Sequence, residues 1–298
     1  MIQSHNKLAG AGLNSNGARR KKMSVSQVTY PIVAALVKAE GRLGENRCWV
    51  PKSPEQEAFL REVFHEVRDE VSQGIRGLQS SYSLAGNELT ISGVLDLLVK
   101  WVERGTTTPI RRDGQEWEGV RLSEKRAGVR FLVSDIHPHP IVVLPTQSDD
   151  TLYLTMLDEV PQETQLRALA TSLLGQKNWR TDEYGGVRFP MVDLRHDNDV
   201  EWLVGIETIT TLNEQEVPTW LIRASQETKL RMNEVGAHIR SEFRGTVLIG
   251  ASISREKPDY IINRPFLLVF TRPGLKQPLT ALHITEEEWK NPGTLDFD

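Results

Sequence analysis

Polar and apolar residues follow two different periods along this chain. A repeat of three to four positions, such as Leu95, Leu98, Val99 and Val102, is typical of an amphipathic helix. The predicted helices are Val28–Ala39, Ser53–Val71, Leu89–Glu103, Glu163–Leu174 and the short segment Val200–Gly205. Short apolar and β-branched runs predict strands at Cys48–Val50, Val129–Val133, Ile141–Pro145, Leu152–Leu157 and Gly186–Met191.

The last third of the chain has the most distinctive pattern. Thr228–Gly236 predicts a short strand that ends at an acidic residue and a glycine. After a longer intervening segment, Pro265–Thr271 and Pro278–Ile284 predict two apolar strands joined by a turn that contains Pro273 and Gly274. Because helices dominate the first part and strands the last, we predict one α+β domain over residues 26–298, with a mainly antiparallel sheet core.

Composition narrows the possible environments. The 298 residues carry a net charge of −4, so bulk charge does not favour nucleic acid or an anionic membrane. The single cysteine, Cys48, rules out an intramolecular disulfide, which suits a reducing compartment. No apolar run approaches the roughly 18 residues of a membrane span, and the first residues lack the apolar core of a signal peptide. We therefore predict an intracellular location, cytoplasmic or nuclear, and no membrane partner.

Residues 1–25 differ from the rest of the chain. They are rich in Gly, Asn, Ser and Lys and have no apolar periodicity, which predicts a disordered arm. Its one charge cluster is Arg19, Arg20, Lys21 and Lys22. Such a run is usually a solvated tail, and the alternatives are a nuclear-import signal or a contact with nucleic acid.

Several segments resemble one protein family in a shared order. The pieces NEVG (233–236) and NRPFLLVF (263–270) are similar to the region around the reactive loop of serpins. Upstream, Lys100–Ile110 resembles the serpin segment in which a Trp-bearing helix ends, and Cys48–Phe64 resembles the strand and helix before it. Leu152–Leu174 and Val187–Thr210 resemble later serpin segments. The chain is thus similar to a shortened, divergent serpin with a reduced helical N-terminal part.

The resemblance implies a mechanism and a set of residues. A serpin inhibitor stores strain: its loop is cleaved and inserts into the main sheet, carrying the bound protease with it. The hinge of that loop would be Glu234, Gly236 and Ala237. No counterpart is found after Ile110 for the family strand that lines the insertion gap. Its absence would leave the insertion machinery incomplete.

The segment after the hinge departs from the inhibitory pattern. Serpin inhibitors have threonine and then a run of alanines there, whereas this chain has Ala-His-Ile-Arg-Ser-Glu-Phe-Arg over 237–244. Apolar and charged residues alternate with period two from 237 to 247, which favours a permanent strand over a mobile loop. By family spacing, the scissile bond would join Gly250 and Ala251. Arg244 and Arg255 are trypsin-type alternatives away from the expected position.

No motif indicates an enzyme, a cofactor or a metal. The chain has no glycine-rich phosphate loop and no dinucleotide fingerprint. His137 and His139 lie two residues apart, and His196, Asp197 and Asp199 form another polar group, but neither has a fixed metal-ligand spacing. We therefore predict no catalytic residues and no bound metal.

Three functions remain as hypotheses. The first is a non-inhibitory binding, structural or assembly scaffold with a protein partner or with itself. The second is an intracellular inhibitor of a serine or cysteine protease, acting through a reactive loop at Gly236–Arg255. The third is a nucleic-acid-associated protein that uses only the basic arm.

Overall fold

The computed structural model describes residues 24–43, 48–85, 88–175, 178–212, 214–238 and 257–295. The helices are α1 (Thr29–Leu43), α2 (Pro54–Phe59), α3 (His65–Gln73), α4 (Glu124–Ala127) and α5 (Glu163–Gly175). A π-helical turn, Leu60–Phe64, joins α2 to α3. Helix α2 begins after Ser53, whose hydroxyl accepts a hydrogen bond from the Gln56 amide at 3.2 Å. Two 3₁₀ turns lie at Glu201–Leu203 and Glu286–Glu288.

Strands make up most of the remaining structure. They are β1 (Val25–Gln27), β2 (Leu78–Ala85), β3 (Glu88–Leu95), β4 (Leu98–Lys100), β5 (Thr106–Arg112), β6 (Gln115–Ser123), β7 (Arg130–Ser134), β8 (His137–Pro145), β9 (Thr151–Met156), β10 (Trp179–Thr181), β11 (Gly186–Pro190), β12 (Val192–Asn198), β13 (Glu207–Leu212), β14 (Gln215–Arg223), β15 (Gln226–Met232), β16 (Gly236–His238), β17 (Asp259–Ile261), β18 (Phe266–Thr271) and β19 (Thr280–Ile284).

The largest sheet contains the C-terminal hairpin. Its seven strands run in the order β1-β19-β18-β9-β8-β7-β10, and its pairs are antiparallel. The apolar residues of β18 and all of β19 are buried. Helix α5 packs on one face through Leu166, Ala170 and Leu173 against Leu267 and Val269. The sheet is therefore covered on both faces, which explains why the hairpin sequence is apolar without alternation.

Three smaller sheets complete the architecture. One has the order β17-β11-β6-β5, another β12-β15-β16-β4, and the third β13-β14-β3-β2. Only the β11–β17 and β14–β3 pairs are parallel among the described strand pairs. The prediction of an α+β fold with mainly antiparallel sheets is confirmed.

Most predicted elements lie where the sequence placed them. The helix at Glu163–Leu174 corresponds to α5, and the strands at 129–133, 141–145, 152–157 and 186–191 correspond to β7, β8, β9 and β11. The predicted apolar hairpin corresponds to β18 and β19. The predicted short helix at Val200–Gly205 is one 3₁₀ turn, and the predicted strand at Cys48–Val50 is one isolated bridge from Val50 to Glu207. Strand β1 begins at Val25, inside the range predicted for the arm, and residues 1–23 lie outside the described residues.

The prediction of a helix over Leu89–Glu103 is wrong. These residues form β3 and β4, and β3 pairs with β2 on one side and β14 on the other. Leu89 is fully buried and Ile91 is half-buried, whereas Thr90, Ser92 and Val94 are exposed. This is the period-two pattern of a strand, and the helical spacing further along resulted from two short strands in succession.

Helix α1 and strand β3 approach each other very closely at Gly93. A Cβ atom built on Gly93 would lie 1.9 Å from the carbonyl oxygen of Pro31. Only glycine allows this approach, because any side chain would overlap the first turn of α1.

Among the described residues, no helix combines the length and apolar character needed to cross a membrane.

Candidate functional site

The predicted hinge lies between two strands of one sheet. Strand β15 ends at Met232, the chain turns, and β16 returns antiparallel beside it, with Arg231 opposite His238 and Met232 opposite Ala237. On its other side, β16 pairs antiparallel with β4, with Gly236 opposite Lys100. The hinge residues Gly236 and Ala237 are therefore already part of the sheet, and both are buried.

One buried tryptophan holds the turn before β16. Trp101 is 1% exposed, and its indole Nε1–H donates to the carbonyl oxygen of Asn233 at 2.9 Å. The Trp101 backbone amide donates to the carbonyl oxygen of Val235 at 3.2 Å. The ring also packs edge-on against Phe189, with centroids 6.1 Å apart. The side chain and the backbone amide of Trp101 therefore bind Asn233 and Val235, the residues on either side of Glu234.

Glu234 is held from both its backbone and its side chain. Its carbonyl oxygen accepts a hydrogen bond from the Gly105 amide at 2.7 Å. Its carboxylate is 2.6 Å from a guanidinium nitrogen of Arg104. Asn233 closes the turn, because its Oδ1 accepts from the Val235 amide at 2.9 Å. Hydrogen bonds and an ion pair therefore hold the backbone and side chains of the hinge in one conformation.

The strands that precede β15 and β4 along the chain are β14 and β3, and these two pair directly with each other in a separate sheet. Only Ala224 and Ser225 separate β14 from β15, so the two strands follow each other along the chain. Strand β14 pairs in parallel with β3, with Trp220 opposite Glu88 and Leu221 opposite Leu89. A strand that extended β16 further would have to separate β14 from β3.

At the far end of the intervening segment, a buried carboxylate is bound by two partly exposed arginines. Asp259 opens β17, and its side chain is 5% exposed. One carboxylate oxygen accepts hydrogen bonds from the Nε atoms of Arg121 and Arg188, each at 2.7 Å. Burial alone would raise the pKa of Asp259, but the two arginines outweigh it and hold the pKa below its ordinary value.

We expect Asp259→Asn to destabilise the fold by about 2 kcal/mol at neutral pH, because both guanidinium groups lose a charged acceptor. A depressed folded-state pKa gives stability that is present above the unfolded pKa and is lost as pH falls through the folded value. The difference between wild type and variant should therefore shrink below a pH of about 4. Urea unfolding at several pH values measures it. Asp193→Asn, an exposed carboxylate on β12, is the control. An equal effect of both changes would contradict the assignment.

The structure places only some of the predicted site residues. Glu234, Gly236 and Ala237 are brought together with Trp101 and Arg104, two partners that the sequence did not indicate. The loop candidates Arg244, Gly250, Ala251 and Arg255 and the arm residues Arg19, Arg20, Lys21 and Lys22 lie outside the described residues.

Two expectations about the hinge surroundings are wrong. Lys100–Ile110 is not the end of a helix, because Lys100 closes β4 and Thr106 opens β5. No counterpart of the family strand that lines the insertion gap is found in the sequence after Ile110, yet the structure has a strand beside the hinge before Trp101, as β4. A strand of three residues gives too weak a local signal to be found by periodicity.

The two histidines of β8 lie close together. The rings of His137 and His139 lie with centroids 5.8 Å apart. His137 Nε2 is 2.7 Å from the Thr155 hydroxyl, and burial lowers its pKa. Within the part of the chain that the structure describes, no group of three or more His, Cys, Asp or Glu side chains could hold a metal ion.

Comparison with known proteins gives a consistent fold. No protein-family model and no curated protein matches the sequence. Among solved structures, SRPN18 from Anopheles gambiae matches with a TM-score of 0.57 and 12% identity, over 91% of this chain and 94% of that chain. The chain has a serpin-like fold.

Two further serpin-like matches are more distant. The mouse protein-Z dependent protease inhibitor has a TM-score of 0.48 and 12% identity, over 89% of this chain and 91% of that chain. Thyroxine-binding globulin in complex with thyroxine has a TM-score of 0.49 and 10% identity, over 88% and 92%. These similarities concern the fold alone, and they do not indicate what this chain binds.

Proposed function

We propose that this serpin-like chain does not trap proteases and acts as an intracellular binding or assembly scaffold, with a protein partner or with itself. It is not an enzyme in this proposal. The observation that carries it is the direct pairing of β14 with β3 below the hinge. Insertion of a cleaved loop would have to break that pairing and replace it with residues that fit the slot.

The residues that would be inserted fit the slot poorly. After β16, which ends at His238, the chain continues as Ile239, Arg240, Ser241, Glu242 and Phe243. Continuing the β15–β16 register would bring Phe243 opposite Gln226, on the face where Ala237 is buried. A large side chain must displace neighbours in a packed interior, and charged side chains must lose water as they pass between strands. Both effects slow insertion, and a serpin inhibitor depends on fast insertion.

Protease inhibition is the second candidate, and the position of β16 is what favours it. The hinge already lies between β15 and β4, so the first step of insertion is present in the fold. A nucleic-acid function rests only on the basic cluster of residues 19–22, and nothing in the described residues favours it.

We expect trypsin to cleave the segment between His238 and Lys257 without forming a complex that survives denaturing gel electrophoresis. The cleaved protein should keep a melting temperature within about 4 °C of the intact protein, a shift that corresponds to about 2 kcal/mol for a domain of this size. Mass spectrometry of wild type, Arg244→Ala and Arg255→Ala identifies the cleaved bond. A stable covalent complex, or a large rise in melting temperature after cleavage, would establish the inhibitor instead.

A further inference from the structure

Strand β2 forms an edge that no described residue pairs with. It is eight residues long and pairs antiparallel with β3 on one side only, from Leu78 opposite Leu95 to Ala85 opposite Glu88. Its sequence, LQSSYSLA, contains no charge and no proline. Proteins commonly protect long edge strands with charges, prolines or bulges, because a bare edge pairs with other strands. None of these devices occurs in β2.

Backbone hydrogen bonds show which groups lie on the free edge. The Asp96 amide donates to the Gly77 carbonyl at 2.6 Å, whereas the Leu78 amide points away from β3 and donates to the Ile75 carbonyl at 3.0 Å. In an antiparallel ladder, this orientation alternates along the strand. Ser80 and Tyr82 therefore direct their amide and carbonyl groups to the free edge, while Ser81 bonds to β3.

A groove lies beside this edge, under the sheet. It has a volume of about 510 Å³ and is bordered by α1, α3 and β2. Its walls include Ala34, Val37, Val71, Ser80 and Tyr82. A strand added to the edge would continue the sheet over this groove, so its inward side chains would meet apolar walls together with the polar side chains of Lys38 and Ser72. This is the arrangement used in β-strand addition, where main-chain bonds bind and a flanking groove selects side chains.

We propose that β2 pairs antiparallel with β2 of a second copy of this chain. Two-fold pairing places residues of the same strand opposite one another, so a strand with charges of one sign would repel itself, and β2 has none. The free groups match when Ser80 lies opposite Tyr82 of the second copy, which places Ser81 opposite its own copy on the outer face. The tyrosine ring then lies beside the groove of the other copy. The proposal rests on the proposed assembly function and names the surface for it.

The register predicts a specific cross-link. Residues opposite each other at a non-hydrogen-bonded position have Cα atoms about 4.5 Å apart, within the range of a disulfide. We expect Ser81→Cys, in a Cys48→Ser background, to form a disulfide-linked dimer on mild oxidation. Ser83→Cys in the same background is the matched control, because the register separates its two copies by four residues along the strands. Dimer from position 83 and none from position 81 would overturn the register.

Light scattering across a concentration series tests the edge itself. Ser80→Pro removes an amide that β3 does not use, so the fold should survive while strand addition is blocked. We expect dimers for wild type and Ser80→Ala and monomers for Ser80→Pro. A monomeric wild type, or a dimer unchanged by Ser80→Pro, would overturn this proposal. Neither result would revive protease inhibition, which the protease assay decides separately. If Ser80→Pro does not fold, the disulfide cross-link at position 81 still tests whether β2 pairs with a second copy.

Discussion

Gly93→Val is expected to destabilise the folded chain by about 3 kcal/mol or more. A Cβ atom at position 93 would lie 1.9 Å from the Pro31 oxygen and 2.5 Å from the Pro31 carbonyl carbon. These are backbone atoms in the first turn of α1, so no rotation of a flexible side chain could relieve the overlap. Helix α1 would have to move away from β3 and lose burial of Val33 and Leu36, both fully buried.

Ser92→Val is the matched control for this change. Ser92 is the neighbouring residue on β3, but its side chain points to the exposed face. The same valine there should change stability by less than about 0.5 kcal/mol. Urea unfolding followed by circular dichroism measures both variants. Equal stability of the two would mean that α1 does not pack against Gly93 as described.

The C-terminal hairpin could be predicted from sequence because its burial is unusual. The residues of β18 from Phe266 to Phe270 are all apolar, and the bounding prolines and Gly274 mark the turn. Such a run is too short for a helix with one exposed face, so a strand covered on both sides is the remaining interpretation. The large sheet confirms it, because α5 covers one face and the main core covers the other.

The region of β3 and β4 could not be predicted in the same way. Leu95, Leu98, Val99 and Val102 have helical spacing only because Asp96 and Leu97 separate two short strands. Strand β3 is half-exposed, and its partners β2 and β14 are held by pairing that local periodicity does not report. Whether these residues form a helix or strands therefore depends on pairing partners that are distant in sequence.

The hinge was predicted from the resemblance to serpins, but the residue that anchors it was not predicted. The sequence predicts one strand over Thr228–Gly236, whereas in the structure β15 ends at Met232 and the chain turns before β16. Trp101 lies 132 positions before its acceptor Asn233, and the sequence around it suggests only a buried tryptophan. Local composition predicts burial, whereas the hydrogen-bond partner follows from how β4 pairs with β16.

Trp101→Ala is expected to destabilise the fold by about 3–5 kcal/mol and to release the hinge. The change removes a fully buried ring, its edge-on contact with Phe189 and the hydrogen bond to Asn233. Relative to wild type, amide hydrogen exchange should accelerate more at Gly236 and Ala237 than in the C-terminal hairpin. This local loss is the part of the result that reports on the hinge.

Two further variants separate packing from anchoring. Trp101→Phe keeps most of the buried ring but removes the indole donor, so it should cost about 1–2 kcal/mol and still accelerate exchange at the hinge. Trp220→Ala removes a tryptophan that is 39% exposed and lies on β14, in a different sheet from β16, so exchange at the hinge should stay slow. If Trp101→Phe leaves exchange at Gly236 unchanged, the indole hydrogen bond does not hold the hinge. The strand pairing of β16 with β4 and β15 would then account for its order alone.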